Sequence, residues 1–158
     1  MRERHKAVPA VYLILKKEGE VLLMQRQNTG YYDGYYALPA GHVEAGEMPL
    51  EALVRETMEE LGVALDPADA KLVHTMYRAK HDETGERVDM FFISTKWAGE
   101  IVNAEPHKCG DIQWFSISEF PQNMMDHVRD GILLSEQGVN FSEYNSEHVY
   151  KNPSVSLL

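Results

Sequence analysis

The chain has 158 residues, 44% hydrophobic and 25% charged, and a formal net charge of −10. That length predicts one domain with room for a sizeable core, and the acidic balance, with no basic stripe in the sequence, argues against a nucleic-acid partner. No apolar run approaches the roughly 18 residues needed to cross a bilayer, the N-terminal MRERHKAVPA lacks a signal-peptide pattern, and the one cysteine, Cys109, rules out an intrachain disulfide and fits a reducing cytoplasm.

Residues 8–16 carry the apolar and aromatic side chains of a strand, 17–20 form a turn, and 21–26 continue as a second strand, predicting a hairpin. Residues 27–36, with two glycines and four tyrosines, read as a loop, and 38–44 lead into a helix. Beyond the helix, 71–80 read as a strand, 81–86 as a turn containing Asp82 and Gly85, and 87–97 as another strand. Residues 99–110 are irregular, 111–116 form a short strand, and Ser118 is placed to cap a turn before Pro121. Residues 123–134 are helical by pattern, with Met124, Val128, Ile132 and Leu133 inward. The polar tail from Asn140 has no clear assignment. Strands with one helix in the middle and another near the end predict an α/β fold with a mixed sheet covered on both faces.

The informative stretch is GHVEAGEMPLEALVRETMEELGV, residues 41–63. On a helix, Leu50, Leu53, Val54, Thr57 and Leu61 form one stripe facing a core. Glu56, Glu59 and Glu60 share a flank turned away from it, while Glu51, Arg55 and Met58 lie on the other. Pro49 suits the first helical turn, and Glu47 precedes the helix near its positive pole. Like charges three and four residues apart repel, and these acids also crowd the negative end of the helix dipole before Gly62, a helix stop. Each effect costs from tenths of a kcal/mol to about 1 kcal/mol. Such a helix is better off without the three acids unless a cation binds there. Hard carboxylate oxygens suit Mg²⁺ or Mn²⁺ better than Zn²⁺; a solvated acidic helix face is the competing explanation.

The spacing of Gly41, Glu47, Arg55-Glu56, Glu59-Glu60, Gly62 and apolar Val63 resembles the signature box of the Nudix hydrolases. Thr57 stands where that box has an aliphatic residue. The resemblance covers about residues 7–135. It implies an α/β/α sandwich and a hydrolase dependent on Mg²⁺, with Mn²⁺ able to substitute. Water would attack phosphorus in a nucleoside diphosphate linked to another group. It further implies metal ligation by Glu56, Glu59, Glu60 and the Gly41 carbonyl. Arg55 would orient the cluster through Glu47, against the alternative of a plain surface ion pair.

The general base is not fixed by the box. The segment EPHKCGDIQWF resembles a later loop of nucleotide-cleaving members, which makes Glu105 the candidate for an extra ligand or base and Asp111 the runner-up. Cys109 reads as packing. Arg26, at the end of the second strand, matches a basic residue that touches phosphates in MutT-like members; Lys108 is a weaker candidate. His42 is expected to line the pocket, and Tyr31, Tyr32, Tyr35, Tyr36 and Phe91 are candidate walls for a nucleobase. The remaining histidines show no metal-ligand spacing.

The compact box region looks MutT-like, which favours a nucleoside triphosphate, ordinary, oxidised or non-standard, cleaved to monophosphate and pyrophosphate. ADP-ribose-cleaving members carry a Pro where Arg78 and Ala79 stand here, and Tyr77 keeps dinucleoside polyphosphates as an alternative. A non-catalytic nucleotide sensor is disfavoured because every box carboxylate is present. The expected partner is a small nucleoside di- or triphosphate, with no nucleic acid and no membrane; monomer and homodimer both remain open.

Overall fold

The structure, a computed structural model, describes residues 1–80, 83, 85–145 and the backbone of 149–151. The turn expected over 81–86 lies partly outside those residues. In chain order the strands are β1 (Val8–Lys17), β2 (Glu20–Arg26), β3 (Tyr36–Ala37), β4 (Ala40–His42), β5 (Lys71–Arg78), β6 (Arg87–Ser94), β7 (Cys109–Ser116), β8 (Phe141–Tyr144) and β9 (Val149–Lys151). Helix α1 spans Pro49–Leu61 and α2 spans Asp126–Glu136. The sheet runs β3-β2-β1-β6-β5-β8-β9, with β4 paired to β1 and β7 to β2. It is mixed: β1 is parallel to β6 and β5 to β8, while β1–β2, β2–β7 and β5–β6 are antiparallel.

Strand β1 is apolar on both sides because both sides are covered. Ala10, Tyr12 and Ile14 join a core with Met76, Phe91, Val128 and Ile132 under α2. The alternate residues Val11, Leu13 and Leu15 join a second core with Leu22, Leu53, Leu61 and Phe92 under α1. Two helices on opposite faces of a mixed sheet make the α/β/α sandwich. Gly131 sits inside α2 because its face rests on the Phe91 ring, where an added Cβ would collide.

Several boundaries differ from the sequence reading, each for a local reason. Strand β6 stops at Ser94, not residue 97, because the Ser94 hydroxyl donates to the Lys96 carbonyl at 2.9 Å and closes a turn. Helix α2 starts three residues late. Tyr36 takes the preceding segment as a partner, donating to the Asn123 carbonyl at 2.7 Å and accepting from the Met125 N–H at 3.0 Å. Leu134, rather than Leu133, is the buried leucine. At the turn before Pro121 the cap is Ser116, whose Oγ accepts from the Ser118 N–H at 3.3 Å. The polar tail forms β8 against β5, and His74 ties it down. His74 Nδ1 donates to the Val139 carbonyl and Nε2 accepts from the Ser142 hydroxyl, both at 2.7 Å. No helix among the described residues is long and apolar enough to cross a membrane.

Candidate active site

Helix α1 has Pro49 in its first turn, and the Met48 N–H donates to Glu51 Oε2 at 2.8 Å. It ends at Gly62, whose φ of +68° is the left-handed cap that glycine adopts without a Cβ penalty. Thr57 is fully buried in the core stripe, and its hydroxyl donates to the Leu53 carbonyl one turn back at 2.7 Å. That bond satisfies the one polar atom in an otherwise apolar position. The last carbonyls of α1 lack helical partners. The loop after β6 supplies them: Val102 N–H donates to the Leu61 carbonyl at 3.0 Å and Ala104 N–H to the Glu60 carbonyl at 3.1 Å. This docking delivers the next residue, Glu105, to the acidic flank of the helix.

A cleft of about 360 Å³ results, lined by Glu56, Glu59, Glu60 and Glu105, with Arg26 and Lys108 also on its wall. Its acids are not equivalent. Arg55 reaches across from the other flank of α1, further than helical angles alone suggest, because its side chain is long. Its Nε and Nη2 grip the two oxygens of Glu47 at 2.8 and 3.1 Å. Its Nη1 donates to Glu56 at 2.8 Å and Glu59 at 3.3 Å, and Nη2 also meets the His42 carbonyl at 3.2 Å. The Arg55 bonds, with the Glu44 N–H, hold the Glu47 carboxyl below its usual range. Burial pushes Glu56 up, partly offset by Arg55. Glu60 is pushed well above the carboxylate range by burial and then by the Glu56 charge, against one bond from the Ala40 N–H at 3.0 Å. Glu59 is the exposed member. Gly41 lies directly against the Glu56 carboxylate, and any Cβ there would collide with it.

A hard divalent cation fits this set. The donors are carboxylate oxygens, two of them on half-buried side chains with a raised pKa that a cation would reverse, and the glycine leaves the space for Glu56 to stand where it does. Among the described residues no three acids or imidazoles yet converge on one point, since Arg55 and Ala40 engage their oxygens.

Arg26 lies where this cleft joins a second cavity of about 340 Å³ on the α2 side of the sheet. The tyrosine-rich loop folds over Arg26, which donates to the Tyr31 carbonyl at 2.7 Å and stands 5.4 Å from the Tyr31 ring centroid. Asp33 fixes that loop by accepting from the Thr29 and Gly30 N–H groups at 3.0 and 2.9 Å. His42 lines the second cavity with Tyr12, Arg78 and Arg87. Arg87 Nη1 is 2.6 Å from His42 Nε2. An arginine only donates, so that imidazole is neutral and accepts. Burial, then the charges of Arg87 and Arg78, lower the His42 pKa accordingly.

The structure thus brings Glu56, Glu59, Glu60, Glu105 and Arg26 to one cleft and puts His42 next door. Asp111 is elsewhere, accepting from the Tyr36 hydroxyl at 2.5 Å and absent from the cleft wall. Burial and that bond push the Tyr36 hydroxyl up to about 12. Cys109 is buried and its thiol raised by burial, which suits packing. Tyr36 and Phe91 are core residues, not cavity walls; Tyr31 alone of the five aromatic candidates lines the second cavity. Sequence reasoning missed Arg87, and it read Arg78 only as a missing proline. The local signal was present as charge inside apolar strand patterns.

Residues 3–135 match the family model described as NUDIX domain. The chain belongs to the Nudix family. It is 34% identical over 125 residues to a Methanocaldococcus jannaschii protein named ADP-ribose pyrophosphatase, covering 79% of this chain and 70% of that one. It is 30% identical over 102 residues to a Proteus vulgaris 8-oxo-dGTP diphosphatase, covering 64% of this chain and 87% of the relative. Its fold matches a MutT NUDIX hydrolase from Burkholderia pseudomallei with a TM-score of 0.72 and 26% identity, covering 84% and 98% of the two chains. The chain is therefore a MutT-like Nudix hydrolase, as the box over residues 41–63 implies.

Proposed function

We propose that this Nudix hydrolase cleaves a nucleoside triphosphate to nucleoside monophosphate and pyrophosphate with Mg²⁺, or Mn²⁺ in its place. The observation that carries this reading is one cleft lined by five carboxylates and three cationic side chains, which shares Arg26, Leu38 and Glu60 with a neighbouring cavity of about 340 Å³. The cleft suits a polyphosphate and the cavity suits one base. Glu56, Glu59, Glu60 and the Gly41 carbonyl would hold the metal, which when bound supplies charge neutralisation at phosphoryl oxygens and an acidified water. Arg55 fixes the Glu56 carboxylate through its fork on Glu47. Arg26 and Lys108 meet phosphate oxygens from the wall. Glu105 faces the box acids across the cleft and accepts a proton from the attacking water. Water adds to phosphorus, the phosphoanhydride oxygen leaves as pyrophosphate, and the proton ends on Glu105 before passing to solvent. The metal ligands also explain why a −10 chain takes an anionic substrate.

The M. jannaschii relative favours ADP-ribose as a second reading. Release of pyrophosphate across a nucleotide panel, with Mg²⁺ and with EDTA, separates the two. Hydrolysis in oxygen-isotope-labelled water then identifies the phosphorus attacked. Efficient cleavage of ADP-ribose or a dinucleoside polyphosphate, with triphosphates untouched, overturns the first reading.

A further inference from the structure

Three consecutive carbonyls directly after Glu105 are held by two residues of another loop. Gln27 Nε2 donates to the Pro106 carbonyl at 2.6 Å, Asn28 Nδ2 to the His107 carbonyl at 3.0 Å, and the Gln27 N–H to the Lys108 carbonyl at 2.9 Å. A carbonyl only accepts, so each amide side chain presents its NH₂ group there. The pairing of β2 with β7 ends at Arg26 and Cys109, so these bonds carry the contact past the last strand residues. Asn28 has a φ of +54°, a left-handed conformation that asparagine tolerates better than most side chains. Gln27 lies over Gly110, where an added Cβ would sit 2.8 Å from Gln27 Oε1. Glu105 is thus held on both sides: the Ala104 bond to the end of α1 precedes it, and this clamp follows it. The other end of the clamp leads to the second cavity. Thr29 follows Asn28, and its hydroxyl accepts from the Tyr31 N–H at 3.2 Å. Tyr31 lines that cavity, and Arg26, which holds the Tyr31 carbonyl, lines both cavities. A continuous path of hydrogen bonds and backbone therefore joins the wall of the second cavity to the acid in the cleft.

Resting on the proposed nucleotide hydrolysis, we infer that Gln27 and Asn28 are positioning residues for Glu105, and that they tie its placement to contact between the nucleoside and Tyr31. Neither side chain lines the cleft or the second cavity, so their effect on turnover runs through the loop they hold. A nucleoside seated against Tyr31 restrains the tyrosine-rich loop. The clamp passes that restraint to residues 106–108, and so to the carboxylate just before them. Alignment for the chemical step then depends on both ends of the substrate being in place.

The test is a double-mutant cycle on the full chain with Mg²⁺, using whichever of ATP, GTP, CTP, UTP and ADP-ribose the wild type cleaves fastest. Asn28→Gly removes the amide and keeps the left-handed backbone, and Gln27→Met keeps the side-chain length without the donor. Each should lower kcat about tenfold with KM within about twofold, because alignment is lost and binding is not. Tm should change by about 4 °C or less. Tyr31→Ala should also lower kcat, and its combination with Asn28→Gly should fall within about twofold of the slower single variant. Hydrogen exchange gives a readout free of turnover. The Lys108 and Cys109 N–H groups, bonded to the Glu105 carbonyl, should exchange about fivefold or more faster in both clamp variants. Unchanged kcat in either clamp variant overturns the inference, and so does unchanged exchange. Losses that multiply in the double variant overturn it too, because the two loops then act independently. Should Asn28→Gly fail to fold, Gln27→Met carries the cycle. The hydrolysis reading fails separately: cleavage of ADP-ribose alone sinks the triphosphate, while the cycle is still scored on ADP-ribose, which also bears a nucleoside. Triphosphate cleavage with independent loops overturns only the clamp, and a chain that cleaves none of these overturns both.

Discussion

The backbone N–H of Ala104 donates to the carbonyl of Glu60 at 3.1 Å. One hydrogen bond thereby does two things: it satisfies a carbonyl at the end of α1, and it fixes the chain one residue before Glu105. The loop acid and the helix acids are registered to each other through backbone, so their spacing does not depend on side-chain packing.

Because that registration is backbone-borne, Glu105→Gln should leave the loop in place. The bonds closing the loop run from the Lys108 and Cys109 N–H groups to the Glu105 carbonyl, and the side chain pairs with exposed Lys108 at 3.5 Å. We expect kcat to fall about tenfold or more, with little change in Tm. Asp111→Asn is the control: it weakens the bond from Tyr36, costs about 1 kcal/mol of stability, and leaves kcat intact. The reverse pattern moves the role to Asp111.

Glu59→Gln should separate metal binding from folding. Glu59 is 48% exposed and meets Arg55 at 3.3 Å, so the metal-free Tm should hold or rise as repulsion is removed. Turnover should drop by about a hundredfold or more. Unchanged turnover sinks its assignment as a ligand. Mg²⁺ should raise the Tm of the wild type, by mass action on the folded state, and should do so far less for Glu56→Gln.

Asp89→Asn tests the buried pair. Asp89 is fully buried on Arg78, and removing one partner of such a pair leaves a charge without compensation. A loss of about 3–5 kcal/mol in chemical denaturation is expected. A loss below about 1 kcal/mol would show that water reaches Arg78.

His74 sets an acid limit on stability. Burial lowers its pKa below the ordinary 6.5, only partly offset by the bond to Val139. The unfolded chain therefore takes up this proton at a higher pH than the folded chain. Stability from the neutral ring is present above pH 6.5 and is lost as pH falls through the folded-state value. The ring resonances of His74 should titrate with a midpoint below 6.5, with Tm declining across the same interval.

Helix α1 and its acids were legible because helical spacing, Pro49 and Gly62 are local signals, and the central strands were legible as apolar runs. The turn Pro67–Asp69 carried a readable start in Asp66, whose side chain accepts from the Ala68 N–H, followed by Pro67. Strands β3, β4 and β8 were not legible: each is two to four residues long and exists through its partner across the sheet. The same limit hid the Arg78–Arg87 pair. Eight residues lie between them in sequence, and the β5–β6 register makes them neighbours.

The NUDIX match ends at residue 135, yet the sheet does not. A chain cut at that boundary would lose β8 and β9, leaving the backbone of β5 as an open edge beside Arg78. It would also remove Val139 and Ser142, both partners of the buried His74 ring. Such a truncate would retain every box residue and still expose a strand poised for edge-to-edge aggregation, so a boundary taken from family similarity alone stops before the last two strands of the sheet, which runs on to Lys151.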